Sequence, residues 1–221
     1  MDHVVKIKEI HSVTHDVRRY TIERPENFSF VPGQATDVSI NKEKWKDELR
    51  PFTFTCLRDA ENLEFVIKSY KDRAGVTAEL YKLVVGDELI IRDAWGAIEY
   101  KGPGYFLAGG AGITPFIAIL RDLKSKNQLA GNKLFFSNKT ETDIILHDEL
   151  SSMLGQDVIY VISDEESKNN YHGYINEEFL KKYVDDFSKH FYICGPPKMI
   201  EALTDTLKKL GANPESVVFE K

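Results

Sequence analysis

The chemistry this chain offers is concentrated in Phe106-Leu-Ala-Gly-Gly-Ala-Gly-Ile-Thr-Pro115, where a short apolar run ends in three glycines within four positions. Glycine lets a chain turn sharply and lets a phosphate or another backbone come close. Thr114 is a good helix N-cap residue, and proline, here Pro115, is favoured at the first helical position. A strand that turns into a helix N-terminus makes an anion site, because free N–H groups and the helix dipole converge there. The spacing Gly110-x-Gly112-x-x-Pro115 puts proline where the common dinucleotide fingerprint has its last glycine. The same residues also read as a structural turn with no ligand.

Three further segments bear on that choice. Arg50-Pro51-Phe52-Thr53 precedes a predicted strand. Its arginine offers a planar fork for phosphate, its aromatic ring could stack on a flat cofactor, and its threonine hydroxyl could bond a ring nitrogen. An edge strand with one surface arginine is the plainer alternative. In Val66-Ile67-Lys68-Ser69-Tyr70 the lysine and tyrosine alternate onto one strand face, and Gly75-Val76-Thr77 stands before a predicted helix, where free amides could meet a pyrophosphate. A solvated strand face and a plain helix cap would look the same. Cys194-Gly195-Pro196-Pro197-x-Met199 closes a predicted strand and leads into a helix, the place where ligands gather in open α/β sheets. A buried cysteine there is also ordinary core.

The elements that must position these residues fall into two halves. Apolar/polar alternation at Val4–Ile10, Val17–Glu23, Ala35–Ile40, Phe52–Leu57, Leu63–Ser69 and Glu88–Arg92 predicts six antiparallel strands with one helical insertion over Thr77–Leu83, a small closed β-barrel. From Tyr105 the period changes. Apolar strands at Tyr105–Ala108, Lys133–Ser137, Val158–Ser163, Phe191–Cys194 and Val217–Phe219 alternate with helices over Pro115–Lys126, Thr142–Leu154, Glu177–Tyr183 and Lys198–Leu210. That order implies a five-stranded parallel sheet covered by helices. Gly102-Pro-Gly104 marks the boundary, and Thr140-x-x-Asp143 has the spacing of a capping box with a shortened acid.

Composition narrows the function. With 29% charged and 42% hydrophobic residues and a net charge of −6, the 221-residue chain is an ordinary globular sequence with no basic footprint for nucleic acid. No apolar run is long enough to span a bilayer, and the N-terminus alternates like a strand instead of forming a signal peptide's apolar core. The two cysteines, Cys56 and Cys194, support neither a disulfide scaffold nor a cysteine-ligated iron–sulfur cluster, and the six histidines show no zinc spacing. The expectation is a cytoplasmic, metal-free protein.

In their order and spacing the motifs resemble the ferredoxin–NADP reductase superfamily, from about Val4 to Phe219. The resemblance implies an FAD-binding β-barrel domain over 1–101 and an NAD(P)-binding α/β domain over 105–221. It assigns the flavin to Arg50, Pro51, Phe52 and Thr53, with Phe52 stacking on the isoalloxazine and Thr53 bonding N5. It gives the pyrophosphate to Ile67, Lys68, Tyr70, Gly75, Val76 and Thr77. The nicotinamide nucleotide falls to Gly110, Ala111, Gly112, Ile113, Thr114 and Pro115, with Cys194, Gly195, Pro196 and Met199 lining the slot. Phe52 stands where tyrosine is commoner in the family, Phe219 is the one candidate for a flavin-shielding terminal aromatic, and the resemblance is to members expected to lack an appended cluster domain.

Asn138-Lys139-Thr140 and the acidic Ser163-Asp164-Glu165-Glu166 resemble the NADH-dependent cytochrome and nitrate reductase branch, where Asp164 would repel the extra phosphate of NADPH. Lys139 pulls the other way, so NADH is favoured and NADPH stays open. The implied activity is hydride transfer from NADH to FAD, then electron delivery to a separate acceptor protein such as a ferredoxin, flavodoxin, cytochrome or oxygenase component. A free-flavin reductase, or a nucleotide-sensing or reductase subunit of a larger complex, is the alternative.

Overall fold

The computed structural model describes residues 1–70, 74–96 and 98–213, and the backbone of 217–219. Its first half holds β1 (Asp2–Ser12), β2 (Val17–Ile22), β3 (Ala35–Ile40), β4 (Arg50–Thr53), β5 (Leu63–Lys68), α1 (Val76–Leu80) and β6 (Glu88–Arg92). The strands pair antiparallel in the order β4-β3-β6-β1-β2-β5. An antiparallel bridge from Phe54 to Phe65 brings the two outer strands together, so the sheet nearly closes into a barrel.

Alternation decides which side chains go inside. Val5 and Ile7 of β1, Tyr20 and Ile22 of β2, Val38 and Ile40 of β3, and Leu89 and Ile91 of β6 fill the barrel with Leu63, Phe65 and Ile67 of β5. The rings of Phe30, Phe54 and Phe65 stack through it, with centroids 4.5 and 5.1 Å apart. Helix α1 plugs one end with Val76 and Leu80, and the Tyr20 hydroxyl donates to the Leu80 carbonyl at 3.0 Å. Burial pushes the Tyr20 phenol up to about 12, so it stays a donor.

The second half runs β7 (Gly104–Gly109), α2 (Thr114–Ser125), β8 (Lys133–Asn138), α3 (His147–Leu154), β9 (Val158–Ile162), β10 (Tyr171–His172), α4 (Glu177–Tyr183), β11 (His190–Cys194), α5 (Pro197–Lys209) and β12 (Val217–Phe219). The strands are parallel in the order β10-β9-β8-β7-β11-β12. Every residue of β7 is buried, as a central strand covered on both faces must be. Phe106 and Ala108 face α2 and α3, while Tyr105 and Leu107 face α4 and α5.

The five expected parallel strands are all present, joined by the two-residue β10 at the edge. Two expectations need correction. The strand expected at Phe52–Leu57 is β4 at Arg50–Thr53, because beyond Phe54 the chain turns to β5, with the Thr55 N–H donating to the Glu64 carbonyl at 2.9 Å. The helix expected over Thr142–Leu154 is broken: a 3₁₀ turn over Glu141–Asp143 is followed by extended Ile144, and α3 starts only after Leu146 at φ 53°. Extended Ile144 and left-handed Leu146 lack helical dihedrals, so no continuous helical hydrogen-bond ladder can run through them, and Ile144 and Ile145 are buried there.

The halves share one apolar core. Val17, Val66 and Ile98 from the barrel side pack in the same cluster as Phe116, Ile117, Ile119 and Leu120 of α2. The connecting segment is held by Tyr192 of β11, whose hydroxyl accepts from the Lys101 and Gly102 N–H groups at 2.9 and 3.0 Å and donates to the Gly102 carbonyl at 2.8 Å. Among the described residues no helix is long and apolar enough to cross a membrane.

Phe54 has no exposed surface and joins the ring stack to the barrel closure. Phe54→Ala is expected to cost about 3–5 kcal/mol of stability, read as a lowered denaturation midpoint in urea.

Candidate active site

The site is built where chain direction reverses. Leaving β7, the chain runs through β8 and β9 on one side, and β11 returns on the other. In a parallel sheet that reversal leaves a crevice between the C-terminal ends of β7 and β11, because their loops depart in opposite directions. Gly109 ends β7, Gly110 takes φ 52°, and a 3₁₀ turn over Gly110–Ile113 runs straight into α2. Thr114 is therefore not an N-cap, as its spacing suggested: it lies inside the helix, and its hydroxyl donates back to the Ala111 carbonyl at 3.1 Å. Pro115 follows within the first turn, and the Ile113 and Pro115 side chains are buried.

The two turns meet almost without space between them. A Cβ on Gly112 would fall far inside contact distance of the Cys194 carbonyl oxygen, and one on Gly109 would strike the Met199 sulfur and lie 2.9 Å from Pro196 Cδ. Cys194 is opposite Ala108 in the ladder and only 4% exposed, packed in the core shared with Phe116. The strand ends thus bring Gly110–Pro115 and Cys194–Met199 together, although they lie some eighty residues apart in sequence.

On the other side of β7, β8 ends at Asn138. Its amide oxygen and nitrogen are both buried and have no hydrogen-bond partner in the structure. The Asp164 N–H donates to the Lys139 carbonyl at 2.9 Å, and the Ser163 hydroxyl donates to the Asp164 carboxylate at 2.6 Å. The expected capping box is present: the Thr140 N–H and hydroxyl donate to the Asp143 carboxylate at 3.1 and 2.9 Å. The Glu165 carboxylate accepts the Glu141 N–H at 2.6 Å, and Glu141 accepts from Ser167 and Asn170, which holds its carboxyl below the usual range. This rim is acidic, with Lys139 exposed beside it.

In the barrel, β4 presents Arg50 and Pro51 exposed, Phe52 half-buried and Thr53 buried. The Arg50 guanidinium donates to the Leu49 carbonyl at 2.6 Å and reaches Glu48 at 3.4 Å. Phe52 lies tilted against Phe65, centroids 6.4 Å apart. At the end of β5 the Ile67 side chain is in the barrel core, so only its backbone faces outward, and Lys68 Nζ is 3.1 Å from Asp16. Tyr70 is exposed, and its N–H meets the Thr77 hydroxyl at 3.5 Å, tying it to Gly75-Val76-Thr77. The Val76 side chain plugs the barrel, while a Cβ on Gly75 would meet nothing within 4 Å. The Ser69 hydroxyl is buried and unpartnered. The Phe219 side chain lies outside the described residues.

Two features had no sequence signal. His15, Asp16 and Asp143 converge, with His15 Nε2 3.7 Å from Asp16 and Nδ1 3.9 Å from Asp143, although Asp16 already pairs with Lys68 and Asp143 with Thr140. Arg121 of α2 reaches across to the barrel. In both cases the partners are distant along the chain, and only folding reveals them.

These surroundings suit a dinucleotide on the sheet rim and a flat ring against the barrel. Asn138 leaves both amide atoms unsatisfied, a buried cost that a ligand amide or hydroxyl would relieve. Gly110 and Gly75 leave open space above backbone that a phosphate could approach.

Comparison with known proteins agrees. Residues 4–100 match the oxidoreductase FAD-binding domain family and residues 106–205 the oxidoreductase NAD-binding domain family. NADH-cytochrome b5 reductase 2 of Mycosarcoma maydis is 29% identical over 222 residues, covering 90% of this chain and 63% of that protein. NADH-cytochrome b5 reductase 1 of Arabidopsis thaliana is 28% identical, covering 95% of this chain and 80% of that one. A Neisseria gonorrhoeae ferredoxin NADP⁺ reductase, solved with bound FAD and NADP, superposes with a TM-score of 0.86 at 21% identity over 99% of this chain and 98% of that chain. Fold and site define an FAD- and NAD-binding oxidoreductase. The chain belongs to the oxidoreductase FAD-binding and oxidoreductase NAD-binding domain families, and it is a flavoprotein reductase similar to the cytochrome b5 reductases.

Gly112→Ala forces the β7 and β11 turns apart and is expected to cost about 1–3 kcal/mol through overpacking, measurable as a lower unfolding temperature by calorimetry.

Proposed function

We propose that this chain takes electrons from NADH into FAD and passes them to a separate acceptor protein. The observation that carries this is the rim itself: the C-terminal ends of β9, β8, β7 and β11, adjacent in that order, bear Asp164, Asn138–Thr140, Gly110–Pro115 and Cys194–Met199. When bound, FAD would supply a two-electron acceptor for the hydride of NADH that can release its electrons singly to a partner.

The chain's own work is binding and orientation. Phe52 offers a ring face for stacking, and the Thr53 hydroxyl orients N5. Arg50 exchanges Glu48 for a phosphate, to which its planar fork is suited. Lys68, Tyr70 and the backbone of Ile67, Gly75, Val76 and Thr77 hold the pyrophosphate. On the facing side, the Gly110–Thr114 turn takes the NADH phosphates, and Cys194, Gly195, Pro196 and Met199 line the nicotinamide slot. Hydride transfer would ask the chain for alignment of the two rings and for no proton relay. Asp164, already accepting a hydrogen bond from Ser163, receives a ribose hydroxyl and repels a ribose phosphate. The names of the cytochrome b5 reductase relatives favour a cytochrome as acceptor over a ferredoxin, flavodoxin or oxygenase component.

The purified protein should be yellow, keep its flavin on dialysis, and bleach faster with NADH than with NADPH. Loss of colour on dialysis with turnover of added flavin would mean a free-flavin reductase, and absence of NADH–ferricyanide activity in flavin-loaded protein would mean a binding role. Asp164→Ala is expected to lower the NADH-over-NADPH ratio of kcat/KM by about fivefold to tenfold. Arg50→Ala should lower the flavin content of the purified protein, read from its absorbance ratio.

A further inference from the structure

The two halves touch mainly through apolar side chains, and such contacts resist separation but do not fix an angle. Directional polar contacts do, and Arg121 makes several of them. Arg121 sits on the outer turns of α2, mostly buried, and spends its guanidinium on three partners. Nε and Nη2 form a bidentate fork on the Glu149 carboxylate of α3 at 2.6 and 2.8 Å. Nη1 donates to Glu64 Oε1 of β5 at 2.6 Å and to the Thr55 carbonyl at 2.7 Å. The Thr55 hydroxyl donates to the same Glu64 oxygen at 2.7 Å, and Arg19 Nε stands 3.8 Å from its other oxygen. Two carboxylates and two guanidiniums thus balance in charge at the seam.

The positions of these partners matter more than their number. Thr55 lies two residues beyond Thr53 on the segment that leaves β4, the strand proposed to hold the flavin ring. Arg121 lies seven residues beyond Thr114 on α2, whose first turn continues the proposed nicotinamide-nucleotide turn. Seven helical residues make a rigid rod of about 10 Å. A single planar group therefore joins the element under one ring to the element under the other.

We infer that Arg121 is the positioning residue for hydride transfer: by clamping α2 and Glu149 to Thr55 and Glu64, it sets the distance and tilt of the nicotinamide over the flavin. This rests on the FAD and NADH sites proposed above. Lysine cannot substitute, because a point charge on a flexible stem cannot serve a fork and a carbonyl in fixed directions at once. None of the clamp residues is among those proposed to hold FAD or NADH, so its loss should leave binding nearly intact and impair only the step that needs ring alignment.

The test uses the full chain loaded with FAD, comparing wild type with Arg121→Met, Arg121→Lys and the milder Glu149→Gln. Anaerobic stopped-flow reduction at saturating NADH should slow at least tenfold in both arginine variants and severalfold in Glu149→Gln, while flavin content and the dissociation constant for NADH stay within twofold. The long-wavelength charge-transfer absorbance of reduced flavin with NAD⁺, which reports ring stacking independently of turnover, should fall in parallel. A merely structural arginine would lower the unfolding temperature and leave the limiting rate and that absorbance unchanged below it; this result, or rescue by lysine, overturns the clamp. Should Arg121→Met fail to fold, the same two readouts on Glu149→Gln decide. A wild type that takes up no FAD overturns the cofactor reading itself, whereas a competent wild type with unaffected variants overturns Arg121 alone.

Discussion

Two backbone turns, Gly109–Gly112 after β7 and Cys194–Gly195 after β11, approach more closely than side chains permit, and the rest of the molecule is arranged around that approach. It exists because β7 is the first strand of its sheet and the place where chain direction reverses. The loops after β7 and β11 must leave to opposite sides of the sheet, so their turns meet only at the strand ends, backbone against backbone. Burial of all six β7 residues on both faces holds the turns at a fixed height above the sheet. The α2 and α5 helices then start from these two turns, each with a proline in its first positions.

The barrel meets different requirements. A flat ring needs a firm wall, and the Phe30, Phe54 and Phe65 stack stiffens the barrel beside Phe52. The strand that carries Phe52 and Thr53 sits at one end of the sheet order, where the Phe54–Phe65 bridge and the Thr55–Glu64 hydrogen bonds close it. One side of β4 is thereby left without a full ladder. The strand that presents the candidate flavin residues is thus an outer strand of the barrel, and the segment just beyond it is gripped from elsewhere.

That grip comes from the other half of the molecule. Arg121 draws Thr55 and Glu64 toward α2, and Glu149 holds the arginine from behind. Burial alone would lower the basicity of the arginine, but the two carboxylates outweigh it and keep the guanidinium firmly charged. The same guanidinium holds the Glu149 carboxyl below its usual range, so the pair keeps its charge through neutral pH; its contribution is complete above the ordinary glutamate range and is lost only as pH falls through the lowered value. Tyr192 performs the corresponding task for the connecting segment through three hydrogen bonds. Apolar packing brings the halves together, and these directional contacts decide how they face each other.

Much of this was legible in the residues themselves. Period-2 alternation and turn residues placed Ala35–Ile40 and Glu88–Arg92 to the residue, and the change of period at Tyr105 marked the parallel sheet, because local burial patterns are written in adjacent side chains. The Thr140–Asp143 box was legible for the same reason, since both partners lie within one turn. Thr114 misled as a cap because an unforeseen 3₁₀ turn precedes it, and no local pattern announced the left-handed Leu146 that interrupts the helix expected over Thr142–Leu154. What the sequence determined alone was the list of elements and the residue types that could touch a cofactor. The tertiary structure decided which of them meet. The closeness of Gly112 to Cys194, the convergence of His15 with Asp143, and the reach of Arg121 to Glu64 and Glu149 join positions tens of residues apart, and no local pattern encodes a contact whose partners are brought together only by the packing of whole sheets and helices.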